Sequence, residues 1–217
     1  MNMQSTLRSY ALVWLVAMLL SGCASTTLQS AWFDSDFKGP AFKRILVVGV
    51  TGNFTDRRVF DETFAQLLTA AGTQGIPGFQ YVENVRPNDN AAFDAGVAKS
   101  AADAVLLVRL LGVDTRTQVT TTMVPAMGGS PFAGPFGGPF GGPAMSPWGP
   151  VWYAVPQVQQ FQLANVEATL FEAVSHRPVW SATTQTFNPT SVAQETPGFA
   201  RLVIGQLQAR GLIAPAK

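Results

Sequence analysis

Apolar and polar positions alternate along the chain in runs that predict a succession of strands and helices. The continuous apolar run from Ile45 to Val50 is typical of a strand covered on both faces of a sheet. From Phe60 to Ala71, apolar residues recur at spacings of three and four, which indicates an amphipathic helix that stops at Gly72. Asp56 is predicted at the start of this helix, as its N-cap or first-turn acid.

The central part of the chain continues the pattern less regularly. After a Gly-Ile-Pro-Gly turn, residues 79–85 are predicted to form a short strand, and residues 90–102 a second, weaker helix. The segment that starts at Ala104 is a buried strand at first and becomes polar after Val113, as expected of a strand longer than the core it crosses.

The C-terminal part predicts two further strands and a helix. Between Phe161 and Leu170 the apolar positions change parity, which predicts a bulge or twist near residues 164–165. Residues 179–187 are rich in β-branched and aromatic residues and can pair back as a hairpin. The last helix is predicted over residues 191–210 and ends at Gly211.

These elements follow the order β-α-β-α-β-loop-β-β-α, which predicts an α/β (α+β) fold. The helices pack on a mixed sheet, whose strands are parallel where helices cross over and antiparallel at the end. We expect a single domain over residues 43–211, with a Gly/Pro/Phe-rich loop at 124–155 and a C-terminal tail at 212–217.

The N-terminus indicates the compartment. Arg8 precedes a short apolar run from Ala11 to Leu20, the pattern of a secretory signal peptide and too short for a membrane span. We expect residues 1–22 to be removed, and residues 23–42 to form the lipidated cysteine and a tether.

Residues Leu20-Ser21-Gly22-Cys23 resemble the lipobox of bacterial lipoproteins. The resemblance implies that the Cys23 thiol carries the lipid anchor, and that Ala24, in place of aspartate, directs the protein to the outer membrane. We expect the domain to face the periplasm. The alternative is a simple secreted protein with a chance cysteine.

The resemblance extends beyond the lipobox. The segments "FKRILVVGV", "RRVFDETFAQLLTAAG" and "VEATLFEAVSHRPVWSATTQTF" are similar to a family of Gram-negative lipoproteins of unassigned function, over nearly the whole mature chain except the proline-rich segment. The element order is also similar to that of lipoproteins that activate peptidoglycan synthases and of the N-terminal domain of TolB. That topological likeness implies no function by itself.

Composition excludes several kinds of chemistry. Cys23 is the only cysteine, so lipidation leaves no thiol for a disulfide, a nucleophile or a metal site. With one histidine in the chain, a structural zinc site cannot be assembled either. The net charge is +1 with 12% charged residues, which argues against nucleic acid as a partner. We expect no cofactor and no enzymatic activity.

The strongest candidate for a ligand site follows the first predicted strand. Asn53, Arg57 and Arg58 lie in or after "GVTGNF", where amides at a helix start attract anions. The stretch lacks the Gly-Lys-Ser/Thr ending of a phosphate loop, so a simple strand-to-helix turn is the alternative. Asp61 and Glu62 point about 100° apart on the helix, which predicts an ordinary polar face.

Other conspicuous polar and aromatic residues have structural interpretations. His176 lies in the turn "SHRP", where we expect an exposed side chain rather than a general base. Asp34 and Asp36 have the first spacing of a calcium loop without the rest of it, so they are predicted to lie in a solvated tether. Trp180 is predicted to anchor the core or a sheet face rather than to contact a ligand.

The segment from Thr117 to Val166 contains no charged residue and no histidine. The glycines and prolines at its centre disfavour both helix and strand, which predicts a flexible loop there. A tolerated insertion is one interpretation. The other is a partner or membrane contact through the loop's aromatic residues, which are Phe132, Phe136, Phe140 and Trp148.

Three functions fit these observations. The first is a non-catalytic outer-membrane lipoprotein that binds an envelope protein partner or helps to assemble a complex. The second is a binding protein or hydrolase for a small molecule or cell-wall fragment, with its site near residues 49–58. The third is a subunit of a homo-oligomeric envelope assembly, joined through the uncharged segment.

Overall fold

The computed structural model describes residues 26–82, 90–125 and 152–215. The strands are β1 (Thr26–Phe33), β2 (Arg44–Val50), β3 (Gln74–Pro77), β4 (Ala104–Pro125), β5 (Trp152–Glu172) and β6 (Pro178–Phe187). The helices are α1 (Phe54–Ala70), α2 (Asn90–Ser100) and α3 (Val192–Ala209), with a 3-10 turn at Gly78–Gln80. None of the described helices is long and apolar enough to cross a membrane.

The chain forms two compact units. The first contains the residues up to Asp114 and those from Gln162 onward, and the second contains Thr115–Phe161. Strands β4 and β5 contribute to both units.

The first unit confirms the predicted mixed α/β class. Six strands form one sheet in the order β1-β6-β5-β4-β2-β3. β2 pairs in parallel with β3 and β4, whereas β6 pairs antiparallel with β5 and β1. Arg109 reaches Glu167, and the amide of Ala173 donates to the carbonyl of Asp103, so β5 runs antiparallel to β4.

Both faces of the sheet carry helices, as the apolar run in β2 predicts. Ile45 and Val47 point to the face covered by α1 and α3, into a core that includes Phe64, Trp180 and Leu207. On the opposite face, a smaller core joins α2 to the sheet, and its residues are Leu46, Val48, Ile76, Val82, Val97 and Val105. Alternating side chains of one buried strand therefore serve two cores.

The predicted ends of α1 and α3 are confirmed. α1 ends before Gly72, which adopts a left-handed φ of +95°. α3 is capped by Ser191, whose side chain accepts from the amide of Gln194. At the start of α1 the N-cap is Asn53, and Asp56 is the first-turn acid.

The strand predicted at residues 79–85 is wrong for its described part. β3 instead overlaps the predicted Gly-Ile-Pro-Gly turn, and residues 78–80 form the 3-10 turn. Glycine is required there because α1 lies directly on the strand: a Cβ at Gly75 would come within 2.2 Å of the Ala65 carbonyl oxygen. Residues 83–89 lie outside the described residues.

The tether predicted over residues 23–42 is wrong from Thr26 to Phe33. These residues form β1, which pairs with β6 and is joined to it by the hydroxyls of Thr26 and Thr186, 2.9 Å apart. β1 is an edge strand with mostly exposed side chains, so it lacks the apolar pattern by which strands are recognised.

The bulge expected near residues 164–165 is absent from the pairing of β5 with β6. Their register is continuous from Leu163 to Leu170 and shifts only between Leu170 and Phe171. Asn165 instead faces polar neighbours, because its amide oxygen accepts from Gln185 and its nitrogen donates to Asp114, both at 3.0 Å. The apolar pattern therefore changes parity because Asn165, Asp114 and Gln185 form a row of polar side chains across the strands.

Candidate functional site

The start of α1 follows the carboxyl end of β2, where an anion site was one interpretation of the sequence. The side-chain oxygen of Asn53 accepts from the amides of Thr55, at 2.9 Å, and Asp56, at 3.3 Å. The cap therefore occupies two of the amides that would otherwise face a ligand.

The two arginines of the predicted site are also engaged within the fold. Arg57 is buried, and its guanidinium donates to the carbonyl oxygen of Val82 at 2.6 Å. The guanidinium of Arg58 lies 5.2 Å from the ring centre of Phe79, in a cation–π contact. Asn53, Arg57 and Arg58 thus lie at the same end of the sheet, but they bind neighbouring parts of the chain.

Asp61 is the residue that the sequence interpretation missed. Its side chain is 0% exposed, so the prediction of an ordinary polar helix face is wrong for this position. One carboxylate oxygen accepts from the amide of Gly49 at 2.7 Å, and the other accepts from Phe79 at 2.9 Å. The carboxylate therefore ties α1 to the end of β2 and to the 3-10 turn.

The environment of Asp61 opposes its ionisation. Burial raises the pKa of Asp61 to about 6, against the hydrogen bonds from the amides of Gly49 and Phe79 and the attraction of Arg57, 3.6 Å away. The four-residue spacing of Arg57 and Asp61 is the signal by which the pair could have been found, since such residues share a helix face.

We expect Asp61 to make folding stability depend on pH. Because its pKa is raised from 3.8 to about 6 in the folded chain, its contribution is full below pH 4 and lost as the pH rises through about 6. Two pKa units correspond to on the order of 3 kcal/mol. Denaturant unfolding measures the free energy of unfolding of the wild type and of Asp61→Asn. The difference between these two free energies should shrink by about that amount from pH 4 to pH 8.

Glu62→Gln is the matched control for this measurement, since Glu62 is the exposed neighbour of Asp61 on the same helix. Its stability should follow the wild-type pH profile. A difference between wild type and Asp61→Asn that stays constant from pH 4 to pH 8 would show that the buried carboxyl does not titrate in this range.

Two hollows lie in the first unit, one at the carboxyl end of β2 and the other between α2 and the sheet. The first, of about 170 Å³, is almost entirely apolar; its lining includes Gly49, Val50, Phe60, Val108 and Leu110. Its volume is below the range of about 300 to 1,000 Å³ typical of small-molecule sites.

The second hollow is larger, about 290 Å³, and lies between α2 and the sheet. Phe93, Leu107 and Phe171 give it apolar walls, while Asp94 and His176 lie at its edge with 3.6 Å between Asp94 Oδ1 and His176 Nε2. Both of these polar side chains are exposed, which confirms the prediction that His176 is an exposed turn residue.

The remaining candidate residues fall into two groups. Trp180 is completely buried, as predicted for a core anchor, and Asp34 is nearly buried and pairs with Arg177, so its prediction as a solvated residue is wrong. Cys23, the predicted lipidation site, and the aromatic residues of the loop lie outside the described residues; these are Phe132, Phe136, Phe140 and Trp148.

Metal-binding side chains do not gather in the described ranges. Within residues 26–82, 90–125 and 152–215, no three His, Cys, Asp or Glu residues lie close enough together to hold a metal ion.

Of the comparisons with known proteins, the one with solved structures found similarity. No family model and no curated protein matches the sequence. The chain is similar to the PelC dodecamer from Paraburkholderia phytofirmans, at 11% identity and a TM-score of 0.40, over 87% of this chain and 99% of the PelC chain. It is also similar to lipoprotein GNA1162 from Neisseria meningitidis, at 15% identity and a TM-score of 0.38, over 77% and 98%. Likeness at this level carries no functional conclusion for this chain.

Proposed function

We propose that the chain is a lipid-anchored, non-catalytic protein of the outer membrane that binds a partner or assembles into a complex through its second unit. The lipobox ending at Cys23 supports the anchor, and the similarity of several segments to Gram-negative lipoproteins supports the compartment. The observation that carries the proposal is the exposed pair of strands in the second unit, which carries no charged residue beyond Arg116.

The paired strands of the second unit continue β4 and β5 beyond their other neighbours. The pairing of β4 with β2 ends at Arg109, and that of β5 with β6 begins at Leu163. Side chains on both faces of the described strands are exposed there, including Val119 at 62% and Val158 at 63%.

Such a ribbon has little charge to protect its edges. A two-stranded ribbon is marginally stable alone, and natural proteins protect exposed strand edges with charged residues or bulges. The segment from Thr117 to Val166 has no charged side chain for this purpose. A covering partner accounts for its composition, because it would bury the exposed apolar side chains, Val119 and Val158 among them.

Charged substitutions in the ribbon test the proposal. Val119→Lys or Val158→Lys would place an ammonium group in the covered surface, at a cost of several kcal/mol. We expect either variant to lose most of the high-molecular-mass complex seen for the wild type when envelope extracts are separated in mild detergent. Val174→Lys is the control, because Val174 lies in the β5–β6 turn and is 91% exposed.

Loss of the complex in both ribbon variants but not in the control supports the proposal. A wild-type chain that migrates as a monomer, or variants that assemble normally, would contradict it. Co-expression of two differently tagged copies then separates the two kinds of assembly, since only a homo-oligomer brings both tags into one complex.

A small-molecule binding protein is the second candidate function. It is favoured by the apolar hollow beside Gly49, Val50 and Asp56, within the predicted 49–58 region. The hollow is small, and Asn53 already occupies helix-start amides, so this function ranks below assembly through the ribbon.

A further inference from the structure

The connection between the predicted lipid anchor and the fold is very short. β1 begins at Thr26, three residues after Cys23. A fully extended chain spans at most about 3.3 to 3.6 Å per residue, so the two Cα atoms are at most roughly 11 Å apart. The position of Thr26 in the sheet therefore decides which end of the first unit faces the membrane.

Thr26 lies at one end of the sheet. It pairs with Thr186 near the end of β6, and Thr186 pairs in turn with Ala164 of β5. Because β6 runs parallel to β2, this end also contains the carboxyl end of β2 and the start of α1. β4 passes the level of Val50 at Arg109.

Exposed apolar side chains are concentrated at the same end. Leu110, Leu111 and Val113 follow each other on β4 just beyond the end of β2, and all three are exposed. Phe54, at the first position of α1, and Phe187, at the end of β6, are exposed as well. At the opposite end, the large exposed apolar residues of the described first unit are Trp32 and Val174.

We propose that the end of the first unit formed by Thr26, Phe54, Leu110–Val113 and Phe187 is a membrane-contact surface that lies on the leaflet holding the lipid anchor. This inference rests on the proposed lipid anchoring at Cys23. Because Thr26 is held within about 11 Å of the lipid anchor, the end of the sheet to which it belongs experiences a high effective concentration of bilayer. The bilayer interface accepts aromatic and aliphatic side chains of this kind.

The charges at this end favour apolar contact over attraction to anionic headgroups. Arg58 is accompanied by Asp56 on the same helix turn, and β4 carries Asp114 just after the exposed apolar residues. With both signs present, the surface has no polybasic character. Contact with the membrane should therefore depend little on the anionic lipid fraction or on salt.

Depth-dependent fluorescence quenching tests the surface. The full lipidated chain is labelled with an environment-sensitive fluorophore at Leu111→Cys, Phe187→Cys or Trp32→Cys, since acylated Cys23 has no free thiol. Trp32 is the matched control, because Leu111 and Trp32 are each 50% exposed but lie at opposite ends of the sheet. Each protein is reconstituted into phosphatidylethanolamine vesicles containing brominated lipids, and flotation of the vesicles measures anchoring.

We expect at least a twofold greater bromine quenching for labels at residues 111 and 187 than at residue 32, with the same order when phosphatidylglycerol or salt is added. Equal quenching at the three positions in protein that floats would overturn the membrane-contact surface and leave the lipid anchor in place. Failure of the wild-type chain to float would overturn both, so the two failures are distinguishable.

Discussion

Replacing Trp180 by alanine is expected to lower the free energy of unfolding by about 3 to 5 kcal/mol, the range for buried aromatic residues. Trp180 is the largest completely buried side chain of the described core, and it packs with residues of the sheet, α1 and α3. Its loss leaves a cavity where these elements meet. Urea unfolding of the delipidated chain, followed by circular dichroism, measures the change.

Trp180→Phe separates the effect of the ring's packing on stability from the effect of the buried indole N–H. Among the described residues, the indole nitrogen of Trp180 has no hydrogen-bond partner. Phenylalanine fills less space but removes a buried donor that costs about 1 to 3 kcal/mol, so we expect a net change within about 1 kcal/mol. A phenylalanine variant as unstable as the alanine variant would show that the indole N–H contributes to stability.

Loss of the proposed lipid anchor is expected to produce the largest change in the distribution of the protein between cell fractions. Exporting the Cys23→Ser chain behind a cleavable signal peptide should move it from the membrane fraction almost entirely into the soluble periplasmic fraction. Each buried methylene contributes about 0.8 kcal/mol, and more than one acyl chain is needed for stable binding. We therefore do not expect the proposed membrane-contact surface to hold the chain at the membrane without its acyl chains.

Ala24→Asp in the natural precursor is the control for this experiment. The lipoprotein resemblance implies that this variant keeps its lipid but stays in the inner membrane, so it should sediment with membranes of lower density. A Cys23→Ser chain that remains in the outer-membrane fraction would contradict anchoring through Cys23.

The elements that were predicted correctly are those in which burial requires a recognisable pattern of apolar residues in the sequence. The apolar run in β2, the stripe in α1 and the pattern of residues 191–210 each reflect a surface covered by another layer. Trp180 follows the same logic, because a tryptophan in a β-rich segment buries a large area.

The elements that were missed depend on long-range contacts. β1 is mostly exposed at the sheet edge and is specified by its pairing with β6, some 160 residues away in the chain. β3 contains Gly75 because the backbone of α1 lies against it, a requirement that local strand propensity does not express.

The candidate site shows the same division between local and long-range signals. The position of Asn53, Arg57 and Arg58 after β2 could be predicted from the sequence, but their partners could not. The amides that Asp61 binds belong to Gly49 and Phe79, which come from separate parts of the chain. The four-residue spacing of Arg57 and Asp61 is visible in the sequence, but the burial of the carboxyl and its two amide partners are visible only in the folded structure.

The most direct test of the central claim is thiol accessibility of the ribbon in intact envelopes. Val119→Cys, Val158→Cys and Val174→Cys each provide a single free thiol, and maleimide labelling of each is expressed relative to the same chain unfolded in detergent. Assembly through the second unit predicts protection at residues 119 and 158 and full labelling at residue 174. Full labelling at all three positions would contradict it.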